Sequence, residues 1–306
     1  MTPPIDRQAL RRTIAVINGK GGVGKTSITA NLAGLFAEAE YRVLAIDLDP
    51  QGNLGNDLGY LGAGLSDDGA SLQAAATTGV APTPITDVRA RLDVVAGGEH
   101  LHDLAAVLQA RRLGGRGGVE SLTASIAALA GSYDITIIDC PPGSDVLQAG
   151  ALEAAHWVLV PTKTDDASRA GLREVARRFT SARVANPDLT LLGVVLFGVT
   201  TAARRVLRQA REALADDLGA GSGVLSATIR HVEAAAVDAR GRGQLVHELE
   251  RDVLAGPSWW ERRRDPSIGS EPLAGSAGSL AADYERLAAE ILNRLAESES
   301  PVTVTA

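Results

Sequence analysis

The sequence predicts an α/β fold in which a doubly wound, mostly parallel sheet carries helices on both faces. Short and nearly continuous apolar runs recur along the chain, and such runs are typical of parallel strands that are buried on both faces. Helical patterns fill the gaps between the runs, and this alternation indicates βαβ units. A glycine-rich loop separates the first apolar run from the first helical pattern, so the first βα turn is a candidate ligand-binding turn.

The elements follow one another in a regular order. The predicted strands are residues 13–18, 42–46, 92–96, 134–138, 157–160 and 191–197. The predicted helices are residues 26–40, 119–130, 144–155, 168–185 and 202–218. Residues 62–84 are rich in Gly, Ala, Thr and Asp, and we expect them to be an addition to this frame with a helical middle.

The chain has 306 residues, of which 45% are hydrophobic and 22% charged, a mixture that supports a large core and excludes a mainly disordered chain. We expect an N-terminal extension over 1–12, one α/β domain over 13–297 and a flexible tail over 298–306. Within the domain, the Gly-, Pro-, Ser- and Arg-rich composition of 255–279 predicts a long loop or insertion. Apolar residues at helical spacing then predict a closing helix over 280–296.

Composition excludes several classes of site. Cys140 is the single cysteine, so an intramolecular disulfide and a cysteine-rich zinc or iron–sulfur site are excluded. The sequence contains neither an 18-residue apolar span nor a hydrophobic signal core at its start, and we therefore expect a cytoplasmic protein. The net charge of −7 still permits a local basic patch.

Residues 19–26 predict a phosphate-binding loop. They read GKGGVGKT and fit the pattern G-x-x-x-x-G-K-[ST] between a predicted strand and a predicted helix. Glycines let backbone N–H groups converge on phosphates, and the helix N-terminus adds partial positive charge. Lys25 is then expected to contact the β- and γ-phosphates, and the Thr26 hydroxyl to bind Mg²⁺.

Aspartates end two of the predicted strands. Asp47 and Asp49 follow the second strand, at the edge of an open α/β sheet where ligands bind. Asp139 ends the fourth strand, and this form predicts a carboxylate that holds Mg²⁺ through water. The competing interpretation of residues 47–53 is a simple turn.

Lys20 is the unusual residue of the loop, because a cation at this point is not needed to bind phosphate within the same chain. Residues 20–26 resemble the deviant Walker A motif of the ParA/MinD class of ATPases. Residues 47–51 and 139–143 resemble the two switch segments of the ParA family, and looser similarity extends the match to roughly 13–295. The fold implied is that of a P-loop NTPase.

The resemblance implies roles for single residues. Lys20 would reach across an ATP-dependent homodimer to the ATP of the partner, although it could instead neutralise phosphate in its own subunit. Asp49 would orient or activate the attacking water, Asp47 would support the metal shell, and Gln51 would help to close the site. The catalytic residues implied are Lys20, Lys25 and Asp49. The nucleotide-binding residues implied are Gly21, Gly22, Val23, Gly24, Lys25, Thr26, Ser27, Asp47 and Gln51, with Thr26 and Asp139 at the metal.

Arginines are candidates for a DNA surface by the ParA resemblance, and the competing interpretation is a solvated helix face. The basic residues with which we associate it are Arg204, Arg205, Arg208, Arg211 and Arg230. The ParA resemblance implies binding of double-stranded DNA without sequence preference, association with the nucleoid, and slow hydrolysis that a ParB-like partner stimulates. The predicted first strand begins near residue 13. In this the sequence resembles the short type of ParA, which has no helix-turn-helix domain.

Other functions of the same fold compete with DNA partitioning. The same ATPase cycle could position a protein cargo on the nucleoid, and the sequence does not distinguish this function from DNA partitioning. A MinD-like membrane ATPase would need an amphipathic terminal helix, but residues 293–301 are acidic and interrupted by proline, so we expect no stable membrane association. An iron–sulfur carrier would need interfacial cysteines, and a bacterial tyrosine kinase would need a tyrosine-rich tail. We therefore expect neither function.

Overall fold

The computed structural model describes residues 5–78, 80–115, 118–200, 208–209, 212, 223–257, 261, 264 and 275–299. The strands are β1 (Thr13–Val16), β2 (Val43–Asp47), β3 (Ile85–Arg89), β4 (Leu92–Val95), β5 (Ile135–Asp139), β6 (Trp157–Thr162), β7 (Thr190–Val199) and β8 (Val224–Arg230). The helices are α1 (Lys25–Glu38), α2 (Leu54–Asp57), α3 (Ala70–Thr78), α4 (His100–Leu113), α5 (Glu120–Ala130), α6 (Asp145–Ala154), α7 (Asp166–Ala182), α8 (Glu233–Arg242), α9 (Val246–Ala255) and α10 (Ala277–Glu299).

The strands form one sheet in the order β3-β4-β2-β5-β1-β6-β7-β8. All neighbouring strands are parallel except β3, which runs antiparallel to β4 at the edge. Every residue of β1, β2, β5 and β6 is buried, as expected of strands covered on both faces. The predicted fold class is confirmed.

Two strands were missed by the sequence analysis. β3 lies at the sheet edge, has no fully buried residue and pairs with an irregular register, so it lacks the apolar run that marked the other strands. β8 alternates buried and more exposed residues because it forms the opposite edge. Helices α4, α8 and α9 were also missed, since each buries only a few residues among many polar ones.

Two hydrophobic clusters of the described residues flank the sheet. One packs α1, α2 and α8–α10 on the first face, and the other packs α3–α7 on the second. The predicted helix over 202–218 lies outside the described residues apart from 208–209 and 212. Helix α10 begins at Ala277 and continues to Glu299, beyond the predicted 280–296. Arg12 Nε donates to Glu299 Oε1 at 2.6 Å in its last turn.

Because the strands other than β3 are parallel, the carboxyl ends of β1, β2, β5, β6 and β7 meet at one edge of the sheet. The loop after β1 and the aspartates after β2 and β5 therefore lie together. No helix among the described residues combines the length and the apolar character that crossing a bilayer requires.

Candidate active site

The loop after β1 is fastened to the sheet by Asn18, a residue that the sequence analysis did not select. Its buried Nδ2 donates to the carbonyl of Pro161 at 2.8 Å. Its Oδ1 accepts the backbone N–H of Lys20 at 2.9 Å. The loop thus starts from a fixed point on β6, and the signal for Asn18 is a lone polar side chain between an apolar strand and glycines.

Gly24 precedes helix α1 as its N-cap, in a conformation that other residues rarely adopt. Its φ is +87°, and a Cβ atom here would lie 2.3 Å from Cε2 of Phe197 at the end of β7. Gly24 is therefore required both for the backbone conformation and for the approach of the Phe197 ring.

Replacement of Gly24 by alanine is expected to weaken MgATP binding by about 10-fold or more, since left-handed strain alone costs on the order of 1–3 kcal/mol. Titration calorimetry measures this change. Gly241→Ala is the control, because Gly241 lies in α8 and a Cβ atom added there would meet no described atom within 4 Å apart from its chain neighbours and the backbone of its own helix. Affinity for MgATP equal to that of the unchanged protein would show that the loop tolerates the side chain.

The two lysines of the loop occupy different environments. Lys25 is 6% exposed, and its Nζ donates to the carbonyl of Lys20 at 3.1 Å. Burial lowers the pKa of Lys25, against the opposing charge of Asp139. The side chain of Lys20 is 35% exposed instead, and its Nζ lies 3.0 Å from Oδ1 of Asp165 on the loop after β6. Lys25 faces the interior of the loop, and Lys20 lies at its surface.

Asp139 provides the clearest indication of a cation site. It is fully buried, and neither carboxylate oxygen has a hydrogen-bond partner among the described residues. Burial raises the pKa of Asp139 to about 7, although the nearby Thr26 hydroxyl and the Lys25 ammonium act in the opposite direction. An unpartnered buried carboxylate beside a hydroxyl suits Mg²⁺, which prefers oxygen ligands and retains waters.

The structure gives Asp47 a task that the sequence analysis did not foresee. Asp47 lies beside Asp139 in the β2–β5 register and is fully buried. Its Oδ1 accepts the N–H of Asp49 at 2.8 Å, and its Oδ2 accepts the N–H of Leu54 at 3.2 Å. Burial and the charge of Asp139 raise the pKa of Asp47. The described contacts make Asp47 a support of the following loop, while a role near the metal stays a prediction.

Asp49 lies at the turn of this loop and is 7% exposed. Its Oδ1 accepts the backbone N–H of Gln51 at 2.9 Å, which fixes the orientation of the carboxylate. Gln51 itself is exposed, so its contact with nucleotide stays a prediction. The loop therefore holds one carboxylate, Asp49, beside the phosphate loop and close enough to Lys25 and Asp139 to influence their pKa values.

A cavity of about 510 Å³ adjoins the start of α1. Ser27 and Phe197 border it on the side of the phosphate loop, and α8 forms another wall. Its size is that of an ordinary small-molecule site. Of the residues that line this cavity, the sequence analysis selected only Ser27 and Arg230. The others were missed because the wall is assembled from the ends of β7, β8 and α10, which lie far apart in the chain.

Arg230, which we expect at a DNA surface, is held by Asp283 of α10. Its Nε and Nη2 donate to the two oxygens of that buried carboxylate at 2.6 and 2.9 Å. This paired guanidinium fastens β8 to α10, and a contact of Arg230 with DNA stays a prediction. Arg208 is exposed, with its Nε 3.8 Å from Glu212. Arg204, Arg205 and Arg211 lie outside the described residues.

Sequence comparison identifies relatives that span most of the chain. A family model described as an AAA domain matches residues 11–191. The chain is 34% identical over 251 residues to the chromosome partitioning protein ParA of Caulobacter vibrioides, covering 78% of this chain and 88% of that protein. It is also 34% identical over 189 residues to the ParA of Myxococcus xanthus, covering 60% of this chain and 64% of that protein, just under two thirds of its length.

Solved structures resemble the whole fold. A variant McdA from Cyanothece in complex with ATP superposes with a TM-score of 0.71 at 20% identity, covering 93% of this chain and 97% of that chain. A cobyrinic acid a,c-diamide synthase from Mycobacterium smegmatis, with a bound ATP analogue and magnesium, has a TM-score of 0.69 at 26% identity and covers 96% and 99%. The phosphate loop with its two lysines, the aspartates beside it and these relatives lead to one conclusion: the chain belongs to the ParA family of partition ATPases.

Proposed function

We propose that the protein is an ATP-driven switch that partitions DNA, dimerising with ATP and releasing DNA after hydrolysis. The observation that carries this proposal is the contrast between the two lysines of the phosphate loop. Lys25 is buried against its own loop, whereas Lys20 lies at the surface, bound to Asp165. A surface cation beside the phosphates suits contact with a nucleotide held by a second copy of the chain.

The site accommodates the nucleotide in one orientation. Its phosphates lie in the loop of residues 19–26, where backbone N–H groups and the start of α1 favour negative charge. Its adenosine enters the adjoining cavity of about 510 Å³, which Ser27 and Phe197 connect to the loop. Ser27 therefore acts at the boundary between phosphate and nucleoside.

Thr26 and Asp139 are the residues that would hold Mg²⁺, and the ion, when bound, neutralises charge on the phosphate oxygens. Asp49 acts on the attacking water, and Asp47 keeps the loop of Asp49 in place through the N–H groups of Asp49 and Leu54. We expect hydrolysis to be slow in the isolated protein and a ParB-like protein to accelerate it.

The proposed track is double-stranded DNA of the nucleoid, bound without sequence preference. Arg208, with its exposed side chain, and the neighbouring arginines at 204, 205 and 211 supply the positive charge. Binding of this kind neutralises phosphates and releases counterions, so it weakens steeply as salt rises.

The test is binding to a nonspecific duplex with MgATP, MgADP or no nucleotide, measured by fluorescence anisotropy across a salt series. We expect binding with MgATP alone. If the surface neutralises about six phosphates, affinity should fall on the order of 10³-fold between about 50 and 200 mM salt. Loss of this binding in Lys20→Gln would connect it to dimerisation.

Two outcomes would count against the proposal. Binding that is independent of nucleotide would separate DNA from the ATP cycle. ATP-dependent dimers that bind no DNA in any state would leave the ATPase switch intact and favour a protein cargo or a membrane surface as the track, as the alternative interpretation of the sequence allows.

A further inference from the structure

Helix α8 forms a wall of the cavity that we assign to adenosine. The same helix contacts α2, which follows the loop of Asp49. Glu233, Ala236, Ala239 and Arg240 of α8 line the cavity, and so does Asp57 of α2. At the end of α8, Arg240 Nε donates to Oδ1 of Asp57 at 2.6 Å. Asp57 is 7% exposed and ends α2, which begins at Leu54. The cavity wall and α2 are thus joined by an ion pair with a buried carboxylate.

A close backbone contact reinforces this ion pair. Gly59 and Gly243 both have positive φ values, +78° and +62°, and a Cβ added to Gly243 would lie 2.4 Å from the Cα of Gly59. The turn after α2 and the turn after α8 therefore touch through their main chains, an approach that only glycine permits at both positions.

Arg89 of β3 adds a second bridge at the same junction. Its guanidinium donates to Glu248 of α9 at 2.6 and 2.9 Å, and also to the carbonyls of Leu58 at 2.8 Å and Gly243 at 3.0 Å. One half-buried side chain thus holds the end of α2 and the α8–α9 turn together. These contacts hinder α8 from moving independently of α2.

The other end of α2 leads to the reacting carboxylate. The N–H of Leu54, the first residue of α2, donates to Oδ2 of Asp47, and Oδ1 of Asp47 accepts the N–H of Asp49. Every link from the cavity wall to Asp49 is therefore a hydrogen bond or a contact of named atoms within the described residues.

We infer that Arg240 and Asp57 form a positioning pair that transmits occupation of the nucleoside cavity to the loop of Asp49. The inference rests on the proposed binding of adenosine in this cavity. A base that fixes α8 fixes α2 through the pair, and α2 then holds the Asp49 loop in one arrangement, so that binding energy remote from the phosphates is used to orient the reacting group. Both residues line that cavity, and neither belongs to the phosphate loop.

The test compares MgATP with magnesium tripolyphosphate, which carries the phosphates without the nucleoside, by phosphate release from the full chain. We expect the unchanged protein to turn over MgATP at least ~10-fold faster than tripolyphosphate, since positioning contributes strongly to rate. Arg240→Ala should lower kcat for MgATP about 10-fold, with KM within about twofold and with the tripolyphosphate rate unchanged. Asp57→Asn should do the same, and the double variant should be no slower than either single variant.

The matched control is Arg242→Ala, because Arg242 is an exposed arginine two residues further along α8 and outside the pair. It should keep the rate ratio of the unchanged protein, and Arg240→Lys should recover part of it. Equal slowing of both substrates by Arg240→Ala, accompanied by a lower melting temperature, would reduce the pair to a structural role and overturn the inference. A ratio near one in the unchanged protein would overturn it as well.

The same experiment separates this inference from the proposed function. A protein that hydrolyses MgATP but fails to bind DNA contradicts partitioning and leaves the Arg240 result valid. A protein that hydrolyses no MgATP removes both the proposed reaction and the positioning pair.

Discussion

Replacement of Asp49 by alanine is expected to lower the rate of ATP hydrolysis by at least ~10²-fold, the usual contribution of a positioned general base. Asp49 is the carboxylate of the loop beside Lys25 and the phosphate loop, and it is nearly buried. ATP binding should persist, because the phosphate loop is unchanged. The variant should therefore accumulate as an ATP-bound dimer on DNA, measurable as slow release of phosphate together with slow dissociation from a duplex.

Asp49→Asn is the matched variant that separates chemistry from loop geometry. Oδ1 of Asp49 accepts the N–H of Gln51 at 2.9 Å, and the asparagine amide oxygen preserves that acceptor while removing the charge. We expect Asp49→Asn to be as slow as Asp49→Ala. An asparagine variant with normal turnover would show that the residue only shapes the loop, and normal hydrolysis by the alanine variant would refute the catalytic assignment.

The second large effect is expected at Lys20. Lys20→Gln should bind MgATP but form at least ~10-fold fewer dimers, because a hydrogen bond that involves a charged group contributes about 1.5–3 kcal/mol. Folding should be unaffected, since the pair of Lys20 with Asp165 is solvent-exposed and such pairs contribute about 0–1 kcal/mol. Sedimentation with MgATP in the Asp49→Ala background measures the dimer without interference from hydrolysis.

Asp165→Asn tests the same ion pair from its other side. It leaves Lys20 in place and removes the carboxylate that lies 3.0 Å from its ammonium. This variant should dimerise at least as well as the unchanged protein, because a competitor for the lysine is gone. Dimers of Lys20→Gln at the wild-type level would contradict contact across the interface and favour neutralisation of phosphate within one subunit.

The sequence predicted those parts of the fold that have a one-dimensional signal. The six strands with apolar runs were found because burial on both faces makes most of their positions apolar, as in β2 (Val43–Asp47), where only the terminal Asp47 is polar. The edge strands β3 and β8 were missed because an edge is covered on fewer sides and tolerates polar residues. Helix α8 was missed for a related reason, since its inner face is the wall of a cavity and only Ala235 and Ala239 are buried.

Some residues of the site were likewise selected from the sequence pattern, and others were found only in the structure. Lys20, Lys25, Asp49 and Asp139 were selected because each stands at a fixed spacing from a glycine or at the end of an apolar strand. The structure brings Lys25, Asp49 and Asp139 together beside the phosphate loop. The support of the loop by Asp47 and the attachment of Asn18 to Pro161 carried no such spacing.

The sequence by itself determined the fold class and the phosphate loop, because these depend on local backbone geometry and on the edge where parallel strands end. The residues that act on phosphate stay predictions. Only the tertiary structure decided what each charge is paired with. It bound Arg230 to Asp283, Arg240 to Asp57 and Lys20 to Asp165, residues 53, 183 and 145 positions apart in the chain. An ion pair requires only that two groups meet in space, and the folding of the sheet and its helices brings such distant groups together.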